Sequence, residues 1–232
     1  MRTLAHISDL HFGRVDDVAL DALRQRLRSL APHLVVVSGD LTQRAKPEQF
    51  RQARDYLETL GGPRLVVPGN HDVPLYNPFM RFFRPLARYR RYISADAEPA
   101  FMDGEIAVVG VNSARSFVFK GGRIHAQQLE RVRGMFAGLG DAVTKILVTH
   151  HPFEQRLLDC GADVVLCGHL HASDVAGASP LIIQAGTAVS RRTREEPNSF
   201  NFLQLQGRQL GVERYVLRGN AFERAAERRF NI

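Results

Sequence analysis

The stretch LVVPGNHDV, residues 65–73, places a polar tetrapeptide directly after an apolar run. Leu65, Val66 and Val67 predict a buried strand that stops at Pro68. The GNHD segment at 69–72 then predicts a turn, since Gly and Asn both tolerate positive φ. Such a turn is common in proteins, so its meaning depends on whether other loops of the chain carry matching polar side chains.

The composition is that of an ordinary globular protein: 232 residues, of which 44% are hydrophobic and 24% charged. No apolar run approaches the roughly 18 residues of a membrane span. The N-terminal segment MRTLAHISDLHFG lacks the pattern of a secretory signal peptide. Cys160 and Cys167 lack the CxxC spacing of a zinc or redox motif. We therefore expect a cytoplasmic protein with two buried thiols.

The net charge of +7 is open to two interpretations. A basic protein often has an anionic partner such as nucleic acid or a membrane surface. However, the basic residues are nearly all Arg; the lysines are Lys46, Lys120 and Lys145. Because a GC-rich genome produces the same skew, we favour codon bias and expect neither nucleic acid nor a membrane as the partner. A substrate that carries phosphate fits either interpretation.

Strand and helix patterns alternate along most of the chain. Apolar runs predict strands at 3–7, 34–38, 64–67, 105–111, 145–149, 163–167 and 181–184. Helical spacing is seen at Leu20/Leu23/Leu27/Leu30, Phe50/Ala53/Leu57/Leu60 and Leu129/Val132/Phe136/Leu139. This alternation predicts an α/β domain with largely parallel strands. No linker or repeat divides residues 1–232, so we predict one domain, with a C-terminal β-hairpin at about 199–217.

Polar residues recur where five of the predicted strands end. They are Asp9 and His11, Gly39 and Asp40, Asn70 and His71, His150 and His151, and His169 and His171. In α/β sheets, ligands bind in the crevice outside the carboxyl ends of the strands. The five loops are therefore expected to converge on one cleft.

The residue types in these loops are those of a metal site. In a locally extended chain, Asp9-x-His11 and His169-x-His171 would each direct two side chains to the same side. Carboxylate, amide and imidazole ligands without a thiolate suit Mn²⁺, Fe or Zn²⁺. Six or seven ligands are too many for one tetrahedral zinc, and they suit two ions that share a bridging carboxylate.

The ordered series of motifs resembles the calcineurin-like metallophosphoesterases. It comprises Asp9-Leu-His11, Gly39-Asp40, Gly69-Asn70-His71-Asp72, His150 and Gly168-His169-Leu-His171. Within that superfamily, HISDLHFG and PGNHDVP are most similar to the bacterial class III cyclic-nucleotide phosphodiesterases. The resemblance runs from residue 3 to about 190. It implies a four-layer sandwich of two mixed β-sheets packed face to face and flanked by helices.

Residue by residue, the resemblance also implies a site with two metal ions. Asp9, His11 and His171 would hold the first ion. Asn70, His150 and His169 would hold the second, and Asp40 would bridge the two. The remaining neighbour, His151, we interpret as part of the wall around the ions.

The resemblance gives His71 and Asp72 catalytic roles. His71 would protonate or stabilise the departing oxygen. Asp72 would orient that imidazole or act as a structural turn residue, and both readings stay open. Asn70 and His71 would also contact the substrate.

The activity implied is metal-dependent hydrolysis of a small phosphodiester, most of all a cyclic nucleotide, by in-line attack of a metal-bridging hydroxide. A nucleotide-sugar or lipid pyrophosphatase and a nuclease of the same superfamily are alternatives. A non-catalytic scaffold is a further alternative, against which the presence of all seven proposed ligands argues. The sequence leaves the oligomeric state open.

One stretch outside the motifs, FMRFFRPLARYRRY at 79–92, is a candidate for substrate contact. Arginine binds phosphate in a bidentate manner, and aromatic side chains stack on bases. The alternative is an amphipathic helix with a solvated basic face, broken near Pro85.

Overall fold

The computed structural model describes residues 1–116, 121–152, 160–176, 179–191 and 196–232. In these residues the strands form two mixed sheets of six strands each. The first sheet consists, in spatial order, of β12 (Ala221–Asn231), β11 (Gln209–Arg218), β10 (Ser199–Gln206), β1 (Arg2–Ile7), β2 (Leu34–Val37) and β3 (Arg64–Val66). The second consists of β4 (Ala100–Met102), β5 (Ile106–Gly110), β6 (Thr144–Val148), β7 (Val164–Cys167), β9 (Leu181–Gln184) and β8 (Asp174–Ala176).

Five α-helices and one 3₁₀ turn connect these strands within the described residues. They are α1 (Asp17–Leu30), α2 (Pro47–Thr59), the turn Asn70–Asp72, α3 (Pro78–Phe83), α4 (Ala87–Tyr92) and α5 (Ala126–Ala137). Helix α1 begins where it does because the Asp16 carboxylate accepts hydrogen bonds from the Val18 and Ala19 amides. No helix among the described residues is long and apolar enough to cross a membrane.

Three apolar clusters define four layers. Leu4, Val36, Val108 and Ile146 belong to the cluster between the two sheets. A second cluster packs α1, α2 and α4 on the outer face of the first sheet. A third packs α5 on the outer face of the second sheet. The predicted sandwich of two mixed sheets flanked by helices is therefore confirmed.

Parallel strands at the centre of each sheet place their carboxyl ends together. Strands β1, β2 and β3 are parallel, as are β5, β6, β7 and β9. Backbone hydrogen bonds then join the loops beyond these ends: Asp9 donates to Gly39 O at 3.1 Å, and Gly168 donates to His150 O at 3.0 Å. The Ala188 amide donates to Ser8 O at 3.1 Å, which links a loop of the second sheet to one of the first.

The C-terminal segment adds three antiparallel strands to the first sheet. Strands β10 and β11 pair through the predicted alternating segments. Strand β12 then pairs with β11 and extends the sheet further, which the sequence pattern did not predict.

Candidate metal centre

Backbone conformation sets the direction of most candidate ligands. Five of them have φ between 51° and 75°: Asp9, His11, Asp40, His169 and His171. Residues other than Gly rarely adopt this left-handed region, and such strain is concentrated at functional sites. The prediction of a locally extended chain at the two-apart pairs is therefore wrong. The pairs converge because both members bend in the same unusual way.

Two glycines allow the loops to approach each other. A Cβ at Gly69 would collide with the Asp40 backbone and carboxylate. A Cβ at Gly168 would collide with Ser8 and would lie 2.7 Å from Asp9 Oδ2. Because neither contact leaves room for a methyl group, the glycines of GNHD and GHLH are required by packing.

A first group of candidate ligands brings together two carboxylates and two imidazoles. Asp9, His11, Asp40 and His171 are all buried, and each has a ligand atom within 4.8 Å of the others. His171 Nε2 lies 3.2 Å from Asp9 Oδ1 and 3.2 Å from His11 Nε2. His11 Nε2 lies 3.9 Å from Asp40 Oδ2.

A second group lies beside the first. Asn70 Oδ1 is 3.2 Å from His150 Nε2 and 3.1 Å from His169 Nδ1. Asp40 Oδ2 is 3.3 Å from His150 Nε2, and the same oxygen faces His11 of the first group. The fold thus collects all seven predicted ligands, with Asp40 between the two groups.

His151 lies closer to this centre than the sequence suggested. Its ring is buried, and a ligand atom of it falls within 4.8 Å of those of His150 and His169. Its Nδ1 lies 2.8 Å from Ser113 Oγ, and its ring centroid lies 4.5 Å from that of His169. The spacing of consecutive residues could not reveal this, because the bend of the chain after β6 allows both rings to face the cluster.

His71 and Asp72 have different surroundings. The His71 ring is half-buried, its Nδ1 lies 2.9 Å from Gln43 O, and its amide donates to Asp40 Oδ1 at 2.8 Å. The buried Asp72 carboxylate accepts hydrogen bonds from the amides of Leu41, Thr42 and Gly69 and from Thr42 Oγ1. These contacts support the structural interpretation of Asp72, as a clamp between the loops after β2 and β3.

The Arg/aromatic stretch at 79–92 is largely structural. Arg81 is buried and donates to Pro74 O at 3.2 Å, and Arg88 donates to Ala45 O at 2.8 Å. Tyr89 is fully buried and donates to Val66 O. The stretch forms α3 and α4 with a break between them, as expected near Pro85. The predicted solvated basic face is wrong at Arg81, which is buried, whereas Phe82 and Phe83 are exposed.

The structure brings together Arg44 and Tyr76, a pair that the sequence did not single out. Arg44 follows Gln43, whose carbonyl contacts the His71 ring. The Arg44 guanidinium carbon stands 5.6 Å from the centroid of the exposed Tyr76 ring. The two residues are far apart in sequence, so no local motif could have indicated them.

Burial and charge oppose each other at the carboxylates. Burial disfavours ionisation of Asp9, but contacts with His11 and His171 lower its pKa well below the usual range. Burial likewise opposes ionisation of Asp40, and its interaction with His150 lowers the pKa below the ordinary value. Burial lowers the pKa of His150, but the Asp40 carboxylate outweighs this effect and raises it to about 9.

The donor set fits a metal centre. Among the described residues, the ion-pair contacts of the buried Asp9 and Asp40 are with histidines and not with Lys or Arg. Buried carboxylates are costly without a cation. Oxygen and imidazole donors aimed at one another provide the ligands that first-row divalent ions prefer. Neither cysteine belongs to the two ligand groups: Cys160 packs in the cluster under α5, and the buried Cys167 ends β7 with its Sγ 3.9 Å from Ile183 O.

Two proteins of known sequence are similar to this chain. The chain is 29% identical to the glycerophosphodiester phosphodiesterase GpdQ of Enterobacter lignolyticus over 184 residues, which cover 72% of this chain and 63% of that protein. Over 81 residues it is 33% identical to a protein of Synechococcus named as a probable cyclic nucleotide phosphodiesterase, covering 31% of this chain and 32% of that one. The chain thus spans less than two thirds of the length of either relative.

A solved structure shares the fold. The dimetal phosphatase from Danio rerio superposes with a TM-score of 0.69 at 15% identity, covering 99% of this chain and 98% of that one. The sequence profile of the calcineurin-like phosphoesterases matches residues 2–173, which include every candidate ligand described above. The chain belongs to the family of calcineurin-like phosphoesterases.

Proposed function

We propose that this protein hydrolyses a small phosphodiester at a centre of two metal ions, with a cyclic nucleotide as the first candidate substrate. The observation that carries the proposal is the position of Asp40, whose Oδ2 faces His11 of one ligand group and His150 of the other. A carboxylate shared between two groups is what a pair of ions requires.

The two groups of side chains define the proposed ligands. Asp9, His11 and His171 would hold the first ion, Asn70, His150 and His169 would hold the second, and Asp40 would be shared between them. When bound, two such ions supply positive charge that stabilises the extra negative charge of a phosphoryl transition state. Manganese, iron and zinc all suit these donors.

His71 is the proposed general acid. Because a carbonyl oxygen only accepts, His71 Nδ1 must carry the proton in its contact with Gln43 O. A proton for the leaving oxygen must therefore come from Nε2 of the imidazolium form. The hydrogen bond from the His71 amide to Asp40 Oδ1 ties this residue to the ligand cluster, so the ring keeps a fixed position relative to the metal centre.

Two kinds of diester are supported by the relatives. The Synechococcus relative is named for cyclic nucleotides, whereas GpdQ is named for glycerophosphodiesters and matches a larger part of this chain. Both substrates release a poorly leaving alkoxide, which needs the proton that His71 would supply. Glycerophosphodiesters are therefore the second candidate substrate.

A substrate panel tests the proposal. Purified protein with Mn²⁺ is assayed on 3′,5′- and 2′,3′-cyclic nucleotides, glycerophosphocholine, a bis-aryl phosphate, UDP-sugars and DNA. We expect turnover of a cyclic nucleotide or of glycerophosphocholine, and its loss when a chelator is added. Preference for UDP-sugars or DNA would assign the protein to the pyrophosphatases or nucleases, and inactivity on all substrates would favour a scaffold.

A further inference from the structure

Strand β12 forms a long outer edge of the first sheet. It spans Ala221–Asn231 and, among the described residues, pairs only with β11. Every side chain from 223 to 229 is exposed, on both faces of the strand. An exposed edge of this length presents unpaired backbone groups to another strand.

A β-bulge changes which side chains share a face of β12. Arg214 pairs with Ala226, but Tyr215 pairs with Arg224, so Ala225 is an extra residue. Residues before and after the bulge therefore follow opposite alternation. Arg224 and Glu227 lie on the same face despite their odd separation, and their side chains approach to 3.2 Å.

The other face carries a second pair of opposite charges. Glu223 pairs with Val216 and Arg228 with Val212. Because Val216 and Val212 are four residues apart on β11, Glu223 and Arg228 point to the same side of the sheet. On each face, the bulge thus places one acid and one base symmetrically about Ala225 and Ala226, and Arg229 adds a second base to the face of Arg224 and Glu227.

We propose that β12 pairs antiparallel with β12 of a second copy of this chain, which joins their first sheets into one continuous sheet. A register centred on Ala225 and Ala226 places Glu223 opposite Arg228 of the second copy. The same register places Arg224 opposite Glu227 of the second copy. Residues that oppose each other across antiparallel strands share a face, and without the bulge neither pair would meet this condition.

Neighbouring registers are less favourable. A shift of two residues in one direction would place Arg224 opposite Arg229 of the second copy, so that like charges meet. A shift of two in the other direction would place Arg224 opposite Ala225 and would leave no acid opposite a base. At the centre, the methyl side chains of Ala225 and Ala226 allow the two backbones to approach. Charges and bulges commonly protect an edge from pairing, but here their arrangement is complementary to itself.

Sedimentation velocity of the full chain tests the proposal, over a concentration range of roughly 1 to 100 µM in which small interfaces dissociate. We expect the sedimentation coefficient to rise with concentration from monomer to dimer. Glu223→Arg and Arg228→Glu should each weaken dimerisation by about tenfold or more, because like charges then face each other twice. The double variant Glu223→Arg/Arg228→Glu restores the opposite charges and should dimerise as the unmodified protein does.

A matched control is Glu58→Arg, which makes the same change of charge at an exposed position of α2. It should leave dimerisation unchanged. Hydrogen exchange gives a second readout that needs no variant, since the amides of β12 should exchange more slowly as the dimer forms.

Several outcomes would overturn the inference. They are a monomer at every concentration, a dimer unaffected by both single variants, a double variant that stays monomeric, and exchange in β12 that does not depend on concentration. None of these readouts involves hydrolysis, so the test is independent of the proposed function.

Discussion

The candidate metal centre and the edge strand β12 use similar charged side chains in opposite environments. At the centre, Asp9 and Asp40 are buried and surrounded by imidazoles. On β12, Glu227 and Arg229 form an ion pair in which the side chain of Arg229 is 85% exposed. Water screens the exposed pair, whereas the buried carboxylates depend on the few groups that face them. Removal of such a side chain should therefore have a much larger effect at the candidate metal centre than on β12.

Replacement of Asp40 should have the largest effect. Asp40→Ala removes the oxygen that faces both ligand groups, so we expect loss of bound metal and more than about a 100-fold loss of activity on every substrate. Metal content by elemental analysis and a rate assay would measure this. Asp55→Ala, at an exposed position of α2, is the control. An Asp40→Ala protein that kept two metal ions and its activity would contradict the bridging role.

Replacement of His71 should separate catalysis from metal binding. His71→Ala should retain its metal ions yet lose about 10²–10⁴-fold in activity on a cyclic nucleotide. Activity on an aryl phosphodiester should fall much less, because a nitrophenolate leaves without protonation. The rates on the two substrates and the metal content should be measured for His71→Ala, because together they separate a loss of catalysis from a loss of metal. The control is His125→Ala, at an exposed position. Equal losses on both substrates, or an emptied metal site, would rule out the assigned role.

His6 extends the comparison to a buried group outside the ligand set. Burial, against the opposing charge of Asp9, lowers its pKa from 6.5 to about 3, and its Nε2 contacts Ser38 Oγ. The unfolded chain therefore binds a proton below pH 6.5 that the folded chain does not bind until pH falls to about 3. The stability that neutral His6 contributes is fully present above pH 6.5 and is lost as the pH falls from 6.5 to about 3.

His6→Asn should make acid unfolding less steep. In the unmodified protein, His6 should add up to about 1.4 kcal/mol per pH unit to the slope of the free energy of unfolding against pH. In His6→Asn this contribution to the slope should be absent. Chemical denaturation at several pH values between 6.5 and 3, with a chelator present, would measure the difference. Parallel pH profiles for the two proteins would contradict the neutral form of His6, and His125→Asn provides the exposed control.

Replacement of Arg229 should have the smallest effect. Its pair with Glu227 is exposed, so Arg229→Ala should shift the melting temperature by less than about 2 °C. The measurement is thermal unfolding at low protein concentration, where association of β12 does not contribute. A larger shift would show that the exposed fraction of a side chain is a poor guide to how much its ion pair contributes to stability.

Much of the fold was predictable because its pattern is local. The strand that ends before Pro68 and the helices that carry Leu23, Phe50 and Val132 bury apolar side chains at regular spacing, and burial follows directly from that spacing. Strand β12 was missed for the opposite reason. Its side chains from 223 to 229 are exposed on both faces, so no alternation marks it as a strand, and only its pairing with β11 makes it one.

For the site, the sequence by itself determined which residues are available and that they follow strand ends. The motifs around Asp9, Asp40 and Asn70 indicated the ligand types, because carboxylate, amide and imidazole groups have a definite metal chemistry. The family resemblance had already implied that Asp40 would lie between the two ligand groups. Tertiary structure alone decided that Gln43 contacts His71 and that the bulge at Ala225 aligns the charges of β12. These contacts join residues that are distant in the chain or depend on strand register, so no local pattern could specify them.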